Sequence, residues 1–190
     1  MASEIASGLE EWQQKPPYQI QCEEKFGTVY WTGKCHCGSV VYRINREKPL
    51  DSKYCHCTGC QVLHGAPFQW AAIFHKSDVT FAHGHHGLNF YNSAEKQHAH
   101  HLPCKVSCSY CHSPIMDEGR NVILLFPGLI ECGSGCEVED KAVGNRKGEK
   151  NVSQIFEPSC HIFYAQRVVD IKDGKTKWAG MNDSSYLIEE

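Results

Sequence analysis

The stretch KYCHCTGCQVLHGAPF, residues 53–68, places three cysteines within six positions. They are Cys55, Cys57 and Cys60, and His56 stands between the first two. Thiolates are preferred ligands of zinc. Structural zinc takes four protein ligands, whereas catalytic zinc takes three and leaves a position for water or substrate. The triplet therefore points to an open site, provided that no fourth ligand comes from elsewhere in the chain.

Two cysteine pairs with metal-ligand spacing flank the triplet. In GKCHCGS, residues 33–39, we expect Cys35 and Cys37 to lie in an extended strand, where residues i and i+2 share a face. In SCSYCHSP, residues 107–114, Cys108 and Cys111 form a C-x-x-C turn of the kind that binds zinc. The seven thiols divide naturally into a closed set of four, from the two pairs, and an open set of three.

The residues alone leave other interpretations open. All seven thiols could be structural, with His36, His56 or His112 completing the second site. The clustered thiols could also serve redox chemistry or form disulfides. Cys132 and Cys136, in CGSGC, could form a redox pair or be ordinary loop thiols.

An open site of three thiolates narrows the chemistry. Zinc with three thiolates is a weaker Lewis acid than zinc with three imidazoles, so it is less suited to activating water. It favours a soft fourth ligand, and the thiolate of a substrate fits that description. We therefore expect formation or cleavage of a carbon–sulfur bond rather than hydrolysis.

Composition excludes several classes of protein. The 190 residues suffice for one domain, and 41% of them are hydrophobic. A net charge of −3 argues against electrostatic capture of nucleic acid or of an anionic membrane. The start, MASEIASGLEEWQQKPP, lacks an apolar stretch of signal-peptide length. We therefore expect a cytoplasmic protein, because clustered thiols in a reducing compartment more often hold zinc than form disulfides.

Most of the chain has the pattern of short strands. Segments rich in β-branched and aromatic residues are separated by Gly, Pro, Asn and Asp, which predicts a mainly β domain. We expect an N-terminal extension over 1–29 and a zinc domain over 30–190. The predicted strands are TVYW (28–31), SVVYRI (39–44), FQWAAIF (68–74), VTFA (79–82), LNFY (88–91), VILLF (122–126) and HIFYAQRVVDI (161–171).

Two segments have a weaker pattern than the rest of the chain. Residues 83–103 hold six of the twelve histidines, and we expect these histidines to be exposed. Residues 131–151 are rich in Gly and charged residues, which is typical of a flexible excursion.

The order of the cysteine motifs resembles one known family. GKCHCG, CHCTGCQVLHGAPF and CSYC resemble the motifs of glutathione-dependent formaldehyde-activating enzymes and centromere protein V. The segment HIFYAQRVVDIKDGKTKWAG, residues 161–180, is also similar to the C-terminal part of that family. The resemblance covers roughly residues 30–180 and implies a β-tent-like, zinc-stapled single domain of several small antiparallel sheets.

The same resemblance assigns the cysteines to two zinc sites. It implies a structural zinc held by Cys35, Cys37, Cys108 and Cys111, and a catalytic zinc held by Cys55, Cys57 and Cys60. It also implies carbon–sulfur lyase activity that joins glutathione to formaldehyde as S-(hydroxymethyl)glutathione. The partner is then a small-molecule thiol, with no nucleic acid and no membrane. The oligomeric state is not predicted.

The chain departs from the family pattern near the catalytic motif. Gln61 and Val62 follow the triplet where the family often has a basic residue, and His112 replaces a frequent Gly. A missing cation would weaken binding of a glutathione carboxylate. We therefore keep two kinds of electrophile, formaldehyde and a specialised metabolite carried as a glutathione conjugate. Our alternative is a non-catalytic, zinc-stapled protein-binding module.

Adding a thiol to a carbonyl requires a base for the thiol proton and an acid for the new hydroxyl group. Histidine suits both roles near neutral pH. The candidate catalytic residues are His56, inside the triplet, and His64, four residues after it. His161 could line the same pocket.

Overall fold

The computed structural model describes residues 9–134 and 149–189. The mainly β class predicted from the sequence is confirmed. The described strands are β1 (Trp31–Lys34), β2 (Val41–Ile44), β3 (Asp51–Cys55), β4 (Gln69–His75), β5 (Val79–His83), β6 (Leu88–Tyr91), β7 (Cys104–Cys108), β8 (Pro114–Glu118), β9 (Val122–Leu125), β10 (Ile130–Cys132), β11 (Cys160–Ile162) and β12 (Thr176–Lys177). The described helices are α1 (Glu23–Phe26), α2 (Thr58–His64) and α3 (Glu149–Ile155).

The strands form two sheets. A four-stranded antiparallel sheet has the order β10-β1-β2-β5. An eight-stranded sheet has the order β12-β11-β3-β4-β9-β8-β7-β6, and only β11 forms parallel pairs there, with β3 and β12. Alternate side chains of a strand share a face, so each sheet has a buried face. The buried faces of both sheets contribute to one core. The largest side chains that are fully buried in this core include Trp31, Tyr42, Phe74, Phe81 and Phe156.

The predicted long strand over 161–171 is wrong beyond its start. Phe163 has a left-handed backbone, with φ of 54°. This conformation is costly for a bulky residue and incompatible with a strand. A 3₁₀ turn follows at Tyr164–Gln166. Ile162 and Tyr164 of this segment are buried, whereas Val168 and Val169 are exposed, so its apolar residues do not form one buried strand.

The described part of the predicted N-terminal extension packs against the sheets. The side chains of Tyr18 and Phe26 are buried. The ring of Trp12 contacts the rings of Tyr18 and Phe90 edge-on. Residues 9–29 thus contribute to the core, and a domain boundary after residue 29 stays a prediction.

The two segments with a weaker sequence pattern differ in how far they can be described. Four of the six histidines in 83–103 are exposed, as expected, but His85 and His100 are half-buried. Most of the predicted excursion over 131–151 lies outside the described residues. Within 9–134 and 149–189, no helix has the length and apolar character needed to cross a membrane.

Candidate metal centres

The first cysteine pair lies in a turn, not in the predicted strand. β1 ends at Lys34, and Cys35 and Cys37 follow it. Gly38 adopts a φ of 75°, which favours glycine, and its N–H donates to the carbonyl of Cys35. The turn brings the two sulfurs to 3.4 Å from each other. A tight turn thus achieves the convergence that we expected from strand alternation.

The second cysteine pair lies close to the first, although it comes from a distant part of the sequence. Cys108 ends β7, and Cys111 lies in the turn to β8, where the N–H of His112 donates to the carbonyl of Cys108. The Sγ atoms of Cys37 and Cys108 are 3.9 Å apart. All four sulfurs lie within 4.8 Å of one another, and all four thiols are free.

These sulfur separations suit a metal ion. In a tetrahedron with zinc–sulfur distances of about 2.3 Å, neighbouring sulfurs are about 3.8 Å apart, whereas a disulfide needs about 2.05 Å. Neutral groups surround the cluster: the hydroxyls of Ser39 and Ser113 lie 3.2 Å from the sulfurs of Cys37 and Cys111. The four-cysteine cluster therefore has the donors and the spacing of a closed structural site.

The triplet forms where β3 turns into α2. Cys55 is the last residue of β3, and Cys57 is the N-cap of α2, where its sulfur accepts the N–H of Cys60. The helix was not predicted, and it ends at Gly65 in a left-handed conformation. The three sulfurs lie within 4.8 Å of one another. Among the described residues, no fourth Cys, His, Asp or Glu side chain joins this group.

The thiols of the triplet cannot all ionise together without a cation. Hydrogen bonds from Cys55 and then Cys60 lower the pKa of Cys57. The hydrogen bond with Cys57 raises the pKa of Cys55 to about 11. Hydrogen bonds with Cys55 and Cys57 raise the pKa of Cys60 further. Three adjacent thiolates repel one another unless a positive charge lies between them. A divalent metal supplies that charge, so the donor set fits zinc.

A chain of polar side chains leads from the triplet to a lysine. The thiol of Cys60 donates to Gln69 Oε1 at 2.7 Å, and Gln69 Nε2 donates to Asp117 at 2.8 Å. Lys105 Nζ donates to the same oxygen of Asp117 at 2.5 Å. Lys105 and Asp117 are directly paired across β7 and β8. Gln69, Asp117 and Lys105 were not predicted as partners of the triplet, because no local spacing connects them to it.

His64 is the last residue of α2, the helix whose N-cap is Cys57, and its ring contacts that of Phe126. Its Nε2 is buried and has no hydrogen-bond partner among the described residues. Burial lowers the pKa of His64. The charge of Asp117 acts to raise this pKa, and the charge of Lys105 acts to lower it. The charge of Cys57 acts in the same direction as that of Asp117. His64 is therefore a neutral, uncommitted imidazole at the site.

His56 has a different environment. Because side chains alternate along extended chain, His56 points away from Cys55 and Cys57. Its ring is fully buried, and its Nε2 lies 2.8 Å from Nδ1 of His161. His161 in turn contacts Asp173 at 3.0 Å. Burial lowers the pKa of His56 to about 4. Nδ1 of His56 is buried without a hydrogen-bond partner among the described residues. The catalytic role of His56 stays a prediction, and its contact with His161 and Asp173 also fits a bracing role.

A third group of possible metal ligands was not predicted. His100, Cys104 and Glu118 place one ligand atom each within 4.8 Å of the others. Glu118 is already satisfied, because Lys76, His100 and Tyr18 contact its two oxygens at 2.6–2.8 Å. The ring of His100 also stacks on Trp12. This group borders a pocket of about 780 Å³ that none of the seven predicted cysteines lines. We interpret it as the anchor of the N-terminal segment.

The remaining cysteines do not join these groups. Cys160 is buried at the start of β11. Cys132 is disulfide-bonded, and Cys136 lies outside the described residues.

The fold and the clusters together define a mainly β protein with one group of four thiols and one group of three, each able to hold a metal ion. The family model described as glutathione-dependent formaldehyde-activating enzyme matches residues 30–166, which is more than half of the chain. The chain therefore belongs to this family. No curated protein matches it.

One solved structure shows a distant likeness. It is a protein of Rhodobacter sphaeroides determined by structural genomics, 19% identical in sequence, with a TM-score of 0.43. The match covers 56% of this chain and 90% of that one. At this TM-score the likeness says nothing about the activity of this chain.

Proposed function

We propose that the protein is a zinc-dependent carbon–sulfur lyase of the S-(hydroxymethyl)glutathione synthase type. It would act on a thiol such as glutathione and on an electrophile. The observation that carries this proposal is the triplet, whose three free thiols converge with no fourth Cys, His, Asp or Glu side chain among the described residues. Membership of the family supports the reaction class.

The two cysteine clusters suit different tasks. The four-cysteine cluster links the loop after β1 to the turn between β7 and β8, as a structural zinc site would. The triplet has one ligand fewer among the described residues, as a catalytic site would. Zinc held there would bind the sulfur of a thiol substrate and lower its pKa.

His64 would handle the proton of the reaction. Addition of a thiol to an aldehyde breaks the S–H bond, forms an S–C bond and converts the carbonyl oxygen into a hydroxyl group. A single base can take the proton from sulfur and return it to oxygen. His64 is suited to this relay because burial keeps it neutral and its Nε2 has no partner in the described protein. The reverse reaction uses the same groups.

The electrophile is proposed by class. Formaldehyde is the electrophile that the family description names. A glutathione conjugate of a specialised metabolite is the second choice. We further propose a cytoplasmic location, where the seven thiols stay reduced.

The test combines metal analysis with turnover. We expect two zinc ions per chain and formation of S-(hydroxymethyl)glutathione from glutathione and formaldehyde. Two zinc ions with turnover only of other conjugates would move the assignment to another electrophile. If no thiol bound and no conjugate turned over, the lyase proposal would fail in favour of a zinc-stapled protein-binding module.

A further inference from the structure

Lys105 is linked to the triplet through Asp117 and Gln69, and its ammonium group has donors that Asp117 does not accept. Lys105 lies on β7, and its side chain is 25% exposed. Its ammonium group carries three N–H donors. Within the described parts of the chain, one carboxylate, that of Asp117, accepts from it. Two donors therefore remain for a ligand that reaches the site from solvent.

The position of Lys105 relative to the sulfurs is set by the fold. The chain Lys105–Asp117–Gln69 ends on the sulfur of Cys60 through contacts of 2.5, 2.8 and 2.7 Å. Burial alone would lower the pKa of Lys105, but Asp117 and two triplet thiols outweigh burial and raise it. The ammonium group of Lys105 is thus ion-paired with Asp117 and linked through Gln69 to the sulfur of Cys60.

The charge of Lys105 matters because the metal-loaded triplet and Asp117 together would be negatively charged. Three thiolates with one zinc ion carry a formal charge of −1, and Asp117 adds another negative charge. A thiol substrate that also carries a carboxylate would be repelled by such a site. Lys105 offsets part of that repulsion and has the free donors to hold a carboxylate directly.

We propose that Lys105 binds a carboxylate of the thiol substrate, so that the site selects anionic thiols. The proposal rests on the function proposed above and deepens it. It replaces the expectation, drawn from Gln61 and Val62, that the site lacks a cation for a substrate carboxylate. The strand β7 supplies the cation that the segment after the triplet does not.

The experiment measures thiol binding to the zinc-loaded protein by calorimetry. The probes are glutathione and glutathione diethyl ester, in which both carboxylates are masked. We expect the wild type to prefer glutathione. Lys105→Met should weaken glutathione binding about 10- to 100-fold, the usual range for a lost charged hydrogen bond, and leave ester binding unchanged. Lys105→Arg should retain most of the preference.

Lys76→Met serves as the matched control. Lys76 is 20% exposed and paired with Glu118, on the other side of β8. Lys76→Met should leave the affinities for glutathione and for its diethyl ester unchanged. Zinc content and the unfolding temperature of Lys105→Met show whether the site itself is intact.

The outcomes separate this proposal from the function on which it rests. Equal weakening of both probes by Lys105→Met, or no weakening of either, overturns the role of Lys105 and leaves the lyase proposal standing. Absence of thiol binding by the wild type overturns both.

Discussion

Asp117 and Glu118 are neighbours on β8 whose carboxylates serve opposite faces of the eight-stranded sheet. Asp117 accepts from Lys105 and Gln69 on the side of the triplet. Glu118 accepts from Tyr18 and Lys76 on the side of the N-terminal segment. Asp117 therefore belongs to the candidate active site and Glu118 to the contacts of the N-terminal segment. A substitution of one should leave the partners of the other in place.

Loss of one cysteine should have different effects in the two clusters. Cys108→Ser should abolish one zinc site and cost several kcal/mol of stability, because structural zinc contributes directly to folding. Cys57→Ser should remove the other zinc and all turnover while the fold survives. Zinc content, thermal unfolding and activity measured on both variants check this. Equal loss of stability in the two would contradict the division into closed and open sites.

Stability should depend on Glu118 at acid pH. Hydrogen bonds from His100, Lys76 and Tyr18 outweigh burial and lower its pKa below 4.5. A lowered pKa means that the contribution is complete above 4.5 and disappears as the pH falls through the folded-state value.

Glu118→Gln is the variant that isolates this effect. Removing one partner of a buried ion pair costs about 3 kcal/mol, so the variant should be less stable by that order at pH 7. Urea unfolding from pH 3 to 7 should show the difference from wild type narrowing below pH 4.5. A difference that does not change with pH would contradict the role of the ionised carboxylate.

The two candidate histidines should separate into catalysis and stability. His64→Gln should lower kcat by roughly 10²- to 10⁴-fold, the range for loss of an acid–base group, with little change in unfolding temperature. His56→Gln should cost about 1–3 kcal/mol, because it disturbs a buried hydrogen bond to His161. Steady-state kinetics and thermal unfolding test both. The assignment fails if His64→Gln turns over at the wild-type rate.

Gly33 is required by the ring of Tyr42. A Cβ at position 33 would lie 2.0 Å from that buried ring, which faces it across β1 and β2. Gly33→Ala should therefore cost about 1–3 kcal/mol or more through overpacking. Gly128→Ala is the control, since a Cβ there meets nothing within 4 Å, and it should stay within about 0.5 kcal/mol of wild type. Denaturant midpoints compare the two.

Sequence was informative where residue type alone dictates chemistry. Thiols at short spacing have few uses, so the pairing of Cys35 and Cys37 with the distant Cys108 and Cys111 could be anticipated. Their local conformation could not, because a turn and a strand both bring residues i and i+2 together. The helix α2 was also missed, since its seven residues are too few to show a helical period.

The polar surroundings of the triplet were beyond sequence reasoning for a different reason. Gln69 and Asp117 are 48 residues apart, and only the sheet order brings them together. The lysine opposite Asp117 depends on the register of β7 and β8, in which an irregularity follows Val106. A register is a property of the assembled sheet and leaves no mark on isolated segments.

The span of the four-cysteine cluster also has a consequence for how the protein matures. Cys37 and Cys108 are separated by 71 positions: Cys37 lies in the turn between β1 and β2 of one sheet, and Cys108 ends β7 of the other. Closing so long a loop costs more chain entropy than gathering the triplet, which spans six residues. If both clusters bind metal, the triplet would need little chain closure to do so, whereas the four-cysteine cluster would need both sheets in place. Metal uptake at the four-cysteine cluster would then report the completion of folding.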